Sequence, residues 1–407
     1  MRLTVRKKLL AVLAVIPVVA IAACGSSGGG GTGGASAPAS GSGSGLTKSP
    51  IVIGNVGVYS GSSFGGQYLQ SLHSLEAWVQ WTNDHGGLNG HPVKLVSHDD
   101  ANNPAKALQY VKEMVEQDHI VALVGPQDPG ADSAWAKYLT QQKVPAIGGY
   151  SLDDNWVGNP YMMPANVVIE GYDKGQMQAA KTLGSSVGVF LCSEFSSCKT
   201  GAPLFQGFAK DEGLEWKGYQ LVAATAPDYT AQCIAMKQTG AQVVLPELDG
   251  QTTQRVIKSC ATQGYTPKIV VPSALIDKDM LANPQFEGAL GVSISPLWFG
   301  NADFTRDWDT QYGKMFPNEV RNGFSTLGWQ AGVVFGTAMK NAPETVTAQT
   351  VAEAMWALPA NSTFGGWTPP LTFDKDKGAQ TSSCVWYTQI KGGQNTAPQG
   401  YQAICAK

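Results

Sequence analysis

Residues 120–151 read IVALVGPQDPGADSAWAKYLTQQKVPAIGGYS, and this stretch decides the fold. It opens with the apolar run Ile120–Val124, which is rich in β-branched residues and short enough for a buried parallel strand. Residues Ala131–Gln141 then have the spacing of a helix with one apolar face, and Val144–Ile147 is a second apolar run. The pattern predicts a βαβ unit.

Two loops follow the carboxyl ends of these predicted strands. They are Gln127-Asp128-Pro129-Gly130 and Gly149-Tyr150-Ser151. Ligands of open α/β sheets bind at this edge, and a loop that begins a helix offers backbone N–H groups to an anion. We therefore predict a ligand site here; the alternative is that any βαβ unit carries such loops.

Strand and helix patterns alternate over the rest of the chain. Predicted strands are Ile51–Val58, Pro92–His98, Val187–Leu191, Gln220–Ala224, Val243–Pro246, Lys268–Val271, Gly291–Ser295 and Val385–Ile390. Predicted helices include Gln67–Asn83, Tyr172–Leu183, Gly201–Glu212, Asp228–Thr239, Thr252–Gln263, Ala302–Met315, Phe324–Asn341 and Val346–Ala357. The alternation predicts an α/β fold with mostly parallel sheets, and the likeness of the two halves predicts two similar lobes.

Length and charge limit the class of protein. The chain has 407 residues, enough for two domains. Its net charge is −3 and 14% of its residues are charged, so no basic excess indicates nucleic acid. The metalloprotease signature His-Glu-x-x-His and the phosphate-loop signature Gly-x-x-x-x-Gly-Lys-Ser/Thr are absent. We predict neither an enzyme nor a cofactor.

The first 24 residues are a predicted export signal. Four basic residues lie within the first eight positions, and the apolar run Leu9–Ala22 is too short for a comfortable membrane span. The run ends in Ile-Ala-Ala-Cys24, which resembles a bacterial lipobox; a plain secretory signal is the alternative. Residues 25–48 are rich in Gly and Ser and predict a flexible tether. We expect a lipid-anchored protein on the extracytoplasmic face of the cell membrane.

The cysteines support an exported protein. Apart from Cys24, six remain, and an even number in an exported chain indicates disulfides whose connectivity the sequence leaves open. We favour sequence neighbours as partners: Cys192–Cys198, Cys233–Cys260 and Cys384–Cys405. A zinc site is the alternative, but there is no Cys-x-x-Cys pair and the His residues lack ligand spacing, so we predict no metal.

Several short stretches, taken in order, match one family. They are Ile51–Gly54 with Ser60-Gly61, Gly86–Gly90, Asp99-Asp100 with Asn103-Pro104, Val124–Pro126, Val144–Ile147, the helix from Phe304 through Tyr312-Gly313 to Pro317, and Leu371–Asp374. The chain resembles the type 1 periplasmic binding proteins, in particular the Leu/Ile/Val-binding proteins of ABC transporters. This resemblance implies two Rossmann-like lobes that are joined by a three-crossover hinge and close on a ligand. It places lobe 1 at 49–163 plus 297–357, and lobe 2 at 164–296 plus 358–407.

The resemblance also implies how the first lobe binds a ligand. The family holds an amino acid's carboxylate with the loops that are here Gln127–Gly130 and Gly149–Ser151, usually through a Ser in the first loop. This chain has Gln127 and Asp128 there instead, and an unpaired Asp would repel a carboxylate. Asp128 as a cap of the following helix is the alternative.

The second lobe departs from the family as well. The family binds the ammonium with an acid after the strand that is here Lys268–Val271, and this chain has Ser273 in that loop. Glu247 or Asp249 can substitute, or both are ordinary surface acids.

Three aromatic residues complete the predicted site. Phe64, Tyr150 and Trp298 lie where the family places pocket walls; core packing is the alternative for each.

The implied function is solute binding. We expect a lipoprotein that delivers a branched-chain or related amino acid to an ABC permease. An amide, a urea-like molecule or an aromatic acid is the alternative ligand, and a ligand sensor is the alternative role.

Overall fold

The protein is described by a computed structural model that covers residues 46–61, 65–193, 201–300 and 302–405, apart from the side chains of residues 65 and 381. The strands are β1 Ile51–Gly57, β2 Val93–Asp99, β3 Ala122–Val124, β4 Ala146–Ile147, β5 Met162–Met163, β6 Ser186–Cys192, β7 Glu215–Val222, β8 Val243–Glu247, β9 Lys268–Pro272, β10 Leu290–Ser293, β11 Leu371–Asp374, β12 Gly378–Thr381, β13 Cys384–Lys391, β14 Gln394–Thr396 and β15 Ile404–Cys405.

The helices alternate with these strands. They are α1 Gly65–Asp84, α2 Pro104–Glu116, α3 Asp132–Gln142, α4 Ile169–Leu183, α5 Ala202–Asp211, α6 Thr230–Thr239, α7 Gly250–Thr262, α8 Lys278–Ala282, α9 Arg306–Met315, α10 Leu327–Met339 and α11 Ala348–Trp356. No helix of the described ranges is long and apolar enough to cross a membrane.

The first sheet has the strand order β2-β1-β3-β4-β5, and each neighbouring pair is parallel. Successive side chains of β1 point to opposite faces. Ile51 and Ile53 therefore pack in one apolar cluster with Trp78 of α1, whereas Val56 packs in another with Trp135 of α3. The carboxyl ends of all five strands lie at one edge of this sheet.

The second sheet has the order β14-β13-β10-β9-β8-β6-β7, with β15 paired to β13. Strands β6 to β10 are mutually parallel, and β13 runs antiparallel to β10. Helix α4 packs on this sheet, whereas α9 and α10 pack on α1 beside the first sheet. The chain thus passes between the two halves before α4, after β10 and before β13.

Helix α2 illustrates how local sequence sets these elements. Asn103 caps it by accepting hydrogen bonds from the next two free N–H groups, and Pro104 occupies the first turn, where no N–H is needed. Ala107, Val111 and Met114 recur at helical spacing and are fully buried under β1.

The fold predicted from the sequence is confirmed, with local corrections. The predicted strand Gln220–Ala224 is wrong in its bounds, because β7 is an edge strand with mostly half-buried side chains and no apolar run marks its start at Glu215. The predicted helix from Ala302 begins only at Arg306, after a 3₁₀ turn.

Two disulfides are confirmed, namely Cys233–Cys260 and Cys384–Cys405. Cys192 is also disulfide-bonded, and Cys198 lies outside the described residues. Cys24, Phe64 and the predicted signal and tether lie outside them as well.

The hairpin β11–β12 bears on the predicted lobe boundaries. It contacts β5 and α11, and Leu371 and Phe373 belong to the apolar cluster that contains Ile51. The division into lobes stays a proposal, and this packing would move its last boundary from 358 to the far end of the hairpin.

Candidate functional site

The two halves meet in an apolar cluster at the carboxyl edges of both sheets. Val58, directly after β1, and Tyr68 of α1 pack there with Tyr172 of α4 and Val385 of β13. Tyr150, in the loop after β4, packs against the same cluster. Ligands of open α/β sheets bind at the carboxyl ends of the strands, so this contact region between the two halves is the expected ligand site.

Aromatic rings organise this cluster. The ring of Tyr68 lies edge-on to Tyr150 at 6.0 Å and to Phe324, which precedes α10, at 4.7 Å. Such T-shaped pairs are favourable because a positive ring edge faces a negative ring face. We call Tyr68, Tyr150, Tyr172 and Phe324 the aromatic cluster.

Asp100 and Asp128, which follow β2 and β3, form a carboxyl pair. Burial, and then the charge of Asp100, raises the pKa of Asp128 to about 8, and burial also raises the pKa of Asp100. Asp100 Oδ2 and Asp128 Oδ1 are both buried without a hydrogen-bond partner in the described chain, and one proton held between the two groups would satisfy both. The indole Nε1 of Trp135 donates to Asp128 Oδ2 at 2.7 Å.

Asp132 and Asp153 form a second carboxyl pair nearby. Burial, and then the charge of Asp153, raises the pKa of Asp132 to about 7. Trp156 Nε1 donates to Asp132 at 3.1 Å, and the backbone N–H of Gly130 donates to Asp153 at 2.9 Å. These bonds tie the loops after β3 and β4 together.

Asp128 does not cap the following helix, so that interpretation is wrong. The cap of α3 is Ala131, without any side-chain hydrogen bond. The carboxyl group of Asp128 instead contacts Trp135, on the first turn of α3, because the indole N–H supplies a buried donor.

Gln127 is the polar residue of the first loop whose side chain has no partner in the part of the chain that the structure describes. It is fully buried, and neither its amide oxygen nor its amide nitrogen has a hydrogen bond within the described residues. Its backbone is fixed, since its N–H donates to Val56 and its carbonyl accepts from Val58. An unpaired buried amide is costly, so Gln127 is suited to a polar ligand group.

The loop after β4 packs directly on the loop after β3. Gly149 has φ +86°, and a Cβ there would lie 2.1 Å from the carbonyl oxygen of Pro126. The same carbonyl accepts from the N–H of Tyr150 at 2.9 Å. The Ser151 hydroxyl donates to Asn166, and the Asn166 amide donates back to the Gly149 carbonyl. The Ser151 proton is therefore used within the protein.

In the second half, Glu247 at the end of β8 is held by Gln176 of α4. Gln176 Nε2 donates to Glu247 Oε1 at 2.7 Å, whereas Gln176 Oε1 is buried without a hydrogen-bond partner among the described residues. Burial raises the pKa of Glu247 to about 7. Asp173, one turn before Gln176, has its pKa raised well above the usual range by burial and then by the charge of Glu247.

The remaining predicted site residues serve other contacts. Asp249 caps α7 by accepting from the N–H of Thr252 at 2.9 Å. Ser273 is fully buried, and its hydroxyl lies 3.4 Å from that of Thr388 on β13. Trp298 packs in the core beside the first sheet with Trp308 rather than in the aromatic cluster.

The structure thus brings together Gln127, Asp128 and the Gly149–Ser151 loop in the first half. Sequence reasoning missed Tyr68, Tyr172, Asp173 and Gln176. Tyr172, Asp173 and Gln176 share one face of α4, and from the sequence alone this polar face is expected to face solvent. No local sequence pattern shows that the first half of the molecule covers it.

Seven loop segments at the carboxyl edges of the sheets contain no basic side chain. Segments 58–61, 100–103, 125–131, 148–153, 248–249, 273–277 and 294–299 contain acids and tyrosine but no Lys, Arg or His. The part of the chain that the structure describes holds no group of acids, His and Cys that is suited to a metal ion.

A surface concavity of about 400 Å³ lies far from these loops. Tyr265, Pro267 and Ala289 line it at the amino ends of β9 and β10, which is the edge opposite to the one where ligands of parallel sheets bind. We therefore do not assign the ligand site to it.

Two α/β halves with facing carboxyl edges define a two-lobed solute-binding protein. Residues 50–395 match the family model described as periplasmic binding protein, and the chain belongs to this family. Members of this family are extracytoplasmic and bind small molecules, and the predicted likeness to the Leu/Ile/Val-binding kind is confirmed.

Curated relatives are distant. The chain is 22% identical over 311 residues to Leu/Ile/Val-binding protein homolog 7 of Brucella abortus (strain 2308), covering 71% of this chain and 76% of that protein. It is 38% identical over 77 residues to an amino acid binding protein of Pseudomonas aeruginosa, which is 18% of this chain and only 20% of that protein's length.

Solved structures share the fold. A solute-binding protein of an ABC transporter from R. palustris in complex with benzoate has a TM-score of 0.70 at 17% identity, over 88% of this chain and 98% of that one. A branched-chain amino acid transporter substrate-binding protein from Streptococcus pneumoniae in complex with isoleucine has a TM-score of 0.70 at 16% identity. The comparison covers 88% of this chain and 100% of that one.

Proposed function

We propose that this chain is the extracytoplasmic solute-binding lipoprotein of an ABC importer and binds a branched-chain or related amino acid between its two halves. The observation that carries the proposal is the meeting of Tyr68 and Tyr150 with Tyr172 at the carboxyl edges of both sheets. A ligand there touches both halves, so its binding favours the closed arrangement that a permease can recognise.

The proposed ligand contacts have distinct roles. The aromatic cluster supplies apolar burial, and Gln127 supplies a donor and an acceptor that nothing else in the described chain uses. Glu247 takes the place of the acid that the family has in the loop of Ser273, because Asp249 is occupied by its helix cap.

A second candidate ligand is an amide or urea-like molecule. The N–H donor and the carbonyl acceptor of such a molecule lie next to each other, so they would bond to the amide oxygen and the amide nitrogen of Gln127, which have no partner in the described chain. It would also avoid placing a carboxylate beside the acid pair of Asp100 and Asp128.

Thermal melting of the chain from Ser49 onward tests the proposal. Leucine, isoleucine, valine, simple amides, urea and aromatic acids are each added in excess. A ligand at a hundred times its dissociation constant adds about 2.7 kcal/mol and raises the melting midpoint. A shift with a branched-chain amino acid supports the first ligand, and a shift with amides alone supports the second. Recovery of a chemically changed ligand would contradict a binding role.

Anchoring is tested separately. With Cys24 intact, the full chain expressed in a bacterium should incorporate labelled fatty acid and sediment with membranes. The Cys24→Ser variant should lose the label and appear in the soluble fraction. Equal labelling of both variants would refute the lipid anchor at Cys24.

A further inference from the structure

Gly323 lies where the two halves touch, directly before Phe324 of the aromatic cluster. It precedes α10, which packs on α1 beside the first sheet. Ala274, in the 3₁₀ turn Ser273–Leu275 after β9, packs against the apolar cluster that joins the halves. A Cβ added at Gly323 would lie 2.8 Å from the Cα and 3.0 Å from the backbone nitrogen of Ala274. Carbon atoms in contact are normally about 3.5–4.0 Å apart, so one half would have to move away from the other.

The segment that carries Gly323 is fixed by side chains on both sides. Gln70 of α1 accepts from the N–H of Asn322 at 3.1 Å and donates to the carbonyl of Val320 at 2.7 Å. Ser295, in the crossover after β10, donates its hydroxyl to the carbonyl of Gly323 at 2.9 Å. The segment is therefore tied to the first half and to a connection between the halves.

The turn that carries Ala274 is fixed within the second half. The N–H of Ile276 donates to the carbonyl of Ser273 at 3.1 Å and closes the turn. The hydroxyl of Ser273 lies 3.4 Å from that of Thr388 on β13, and β9 pairs with β10 as far as Pro272. Because both backbones are held, an added side chain separates the halves rather than bending either segment.

Neither the backbone of Gly323 nor its own half requires a glycine at this position. Its φ lies outside the left-handed region that favours glycine. Among the described residues, the three atoms nearest to an added Cβ all belong to Ala274. A methyl group at this position therefore strains the contact between the halves and leaves each half free to fold.

We infer that Gly323 is a stop for closure: its missing side chain sets how closely the halves approach, and hence the smallest solute that both halves hold at once. This inference rests on the proposed solute-binding function and names a residue that sets ligand size. A larger residue at Gly323 keeps the cleft wider. A small solute then loses contact with one half, whereas a larger solute keeps its burial against both.

Hydrogen exchange of the mature chain without ligand tests the contact, with mass spectrometry of peptides as the readout. Gly323→Ala should raise exchange at least about threefold in residues 270–277, which belong to the opposite half. Ala274→Val enlarges the same contact from the second half and should raise exchange in residues 320–326. The matched control is Gly207→Ala on α5, where an added Cβ meets no atom within 4 Å and φ is also outside the left-handed region. It should exchange as the parent chain does in both segments.

Titration calorimetry tests the role in ligand size with two pairs of probes, valine with leucine and acetamide with benzamide. For a pair that the parent chain binds, Gly323→Ala should weaken the smaller member at least about tenfold more than the larger one, a factor typical of one methylene in a fitted pocket. Gly207→Ala should bind both members as the parent chain does. Equal weakening of both members, or greater weakening of the larger one, overturns the role in ligand size.

The two experiments separate this inference from the proposed function. Parent-like exchange of residues 270–277 in Gly323→Ala and of residues 320–326 in Ala274→Val overturns the closure stop, and solute binding stands if the probes bind. Failure of every probe to bind the parent chain contradicts the proposed function and the role in ligand size together. The exchange of the two segments then still decides whether Gly323 limits the approach of the halves.

Discussion

Buried acids line the carboxyl edges of both sheets, but they are bonded differently. In the first half, Asp128 and Asp132 accept from tryptophan N–H groups and pair with further carboxyl groups. In the second half, Glu247 has one amide donor, and Asp173 has no partner in the described chain. Burial alone therefore does not identify a ligand-binding acid.

The largest expected effect is loss of stability from the first half. Asp128→Ala removes the acceptor of the buried Trp135 N–H and the partner of Asp100, so the free energy of unfolding should fall by about 1–3 kcal/mol. Urea denaturation measures it, with the exposed Asp376→Ala as control. An Asp128 variant as stable as the control would contradict a structural role for the pair.

The pH dependence of stability sharpens the same contrast. The pKa of Asp128 is raised from 3.8 to about 8, so between these values the folded group keeps a proton that the unfolded group has lost. The free energy of unfolding should therefore decrease as pH rises from about 4 to about 8. Urea unfolding across this range should show a shallower decrease in Asp128→Asn. Identical slopes in the parent chain and the variant would argue against the raised pKa.

A smaller loss is expected at Ser151. Its hydroxyl donates to Asn166 inside the protein, so Ser151→Ala should lower the free energy of unfolding by about 1 kcal/mol. Ligand affinity, measured by calorimetry, should change less than it does in Glu247→Gln, at the proposed second-half contact. A greater loss of affinity at Ser151 would restore the hydroxyl as a ligand contact.

The smallest expected effect on stability is that of Asp173→Asn. The substitution removes a buried ionisable group that makes no hydrogen bond within the described residues, so the free energy of unfolding at pH 7 should stay within about 0.5 kcal/mol of the parent or increase. Urea denaturation beside Asp128→Asn provides the direct comparison. A loss as large as that of Asp128→Ala would mean that Asp173 is structural too.

The sequence predicts the fold well, because apolar periodicity and turn residues are local signals. The βαβ unit of residues 120–151 and the disulfide Cys384–Cys405 illustrate this. The sequence also locates Gln127 and the Gly149–Ser151 loop, because these residues lie in the loops that follow two predicted strands.

The candidate site is less predictable, because it depends on contacts between distant segments. Asp173 and Gln176 read as surface residues of a helix until the packing of the second half is known. The hydrogen-bond donor to the Asp128 carboxyl is a tryptophan seven positions away, which helix-capping rules do not anticipate.

The contact of Gly149 with Pro126 has a consequence for how this protein can change its ligand. No side chain fits at Gly149, and the two loops share a carbonyl acceptor, so a substitution in either loop disturbs both. Proteins tolerate only a small loss of stability before they fail to fold. Variation in specificity should therefore accumulate on α4 and after β8, where a new side chain disturbs fewer bonds, while the loops of the first half stay fixed over evolutionary time.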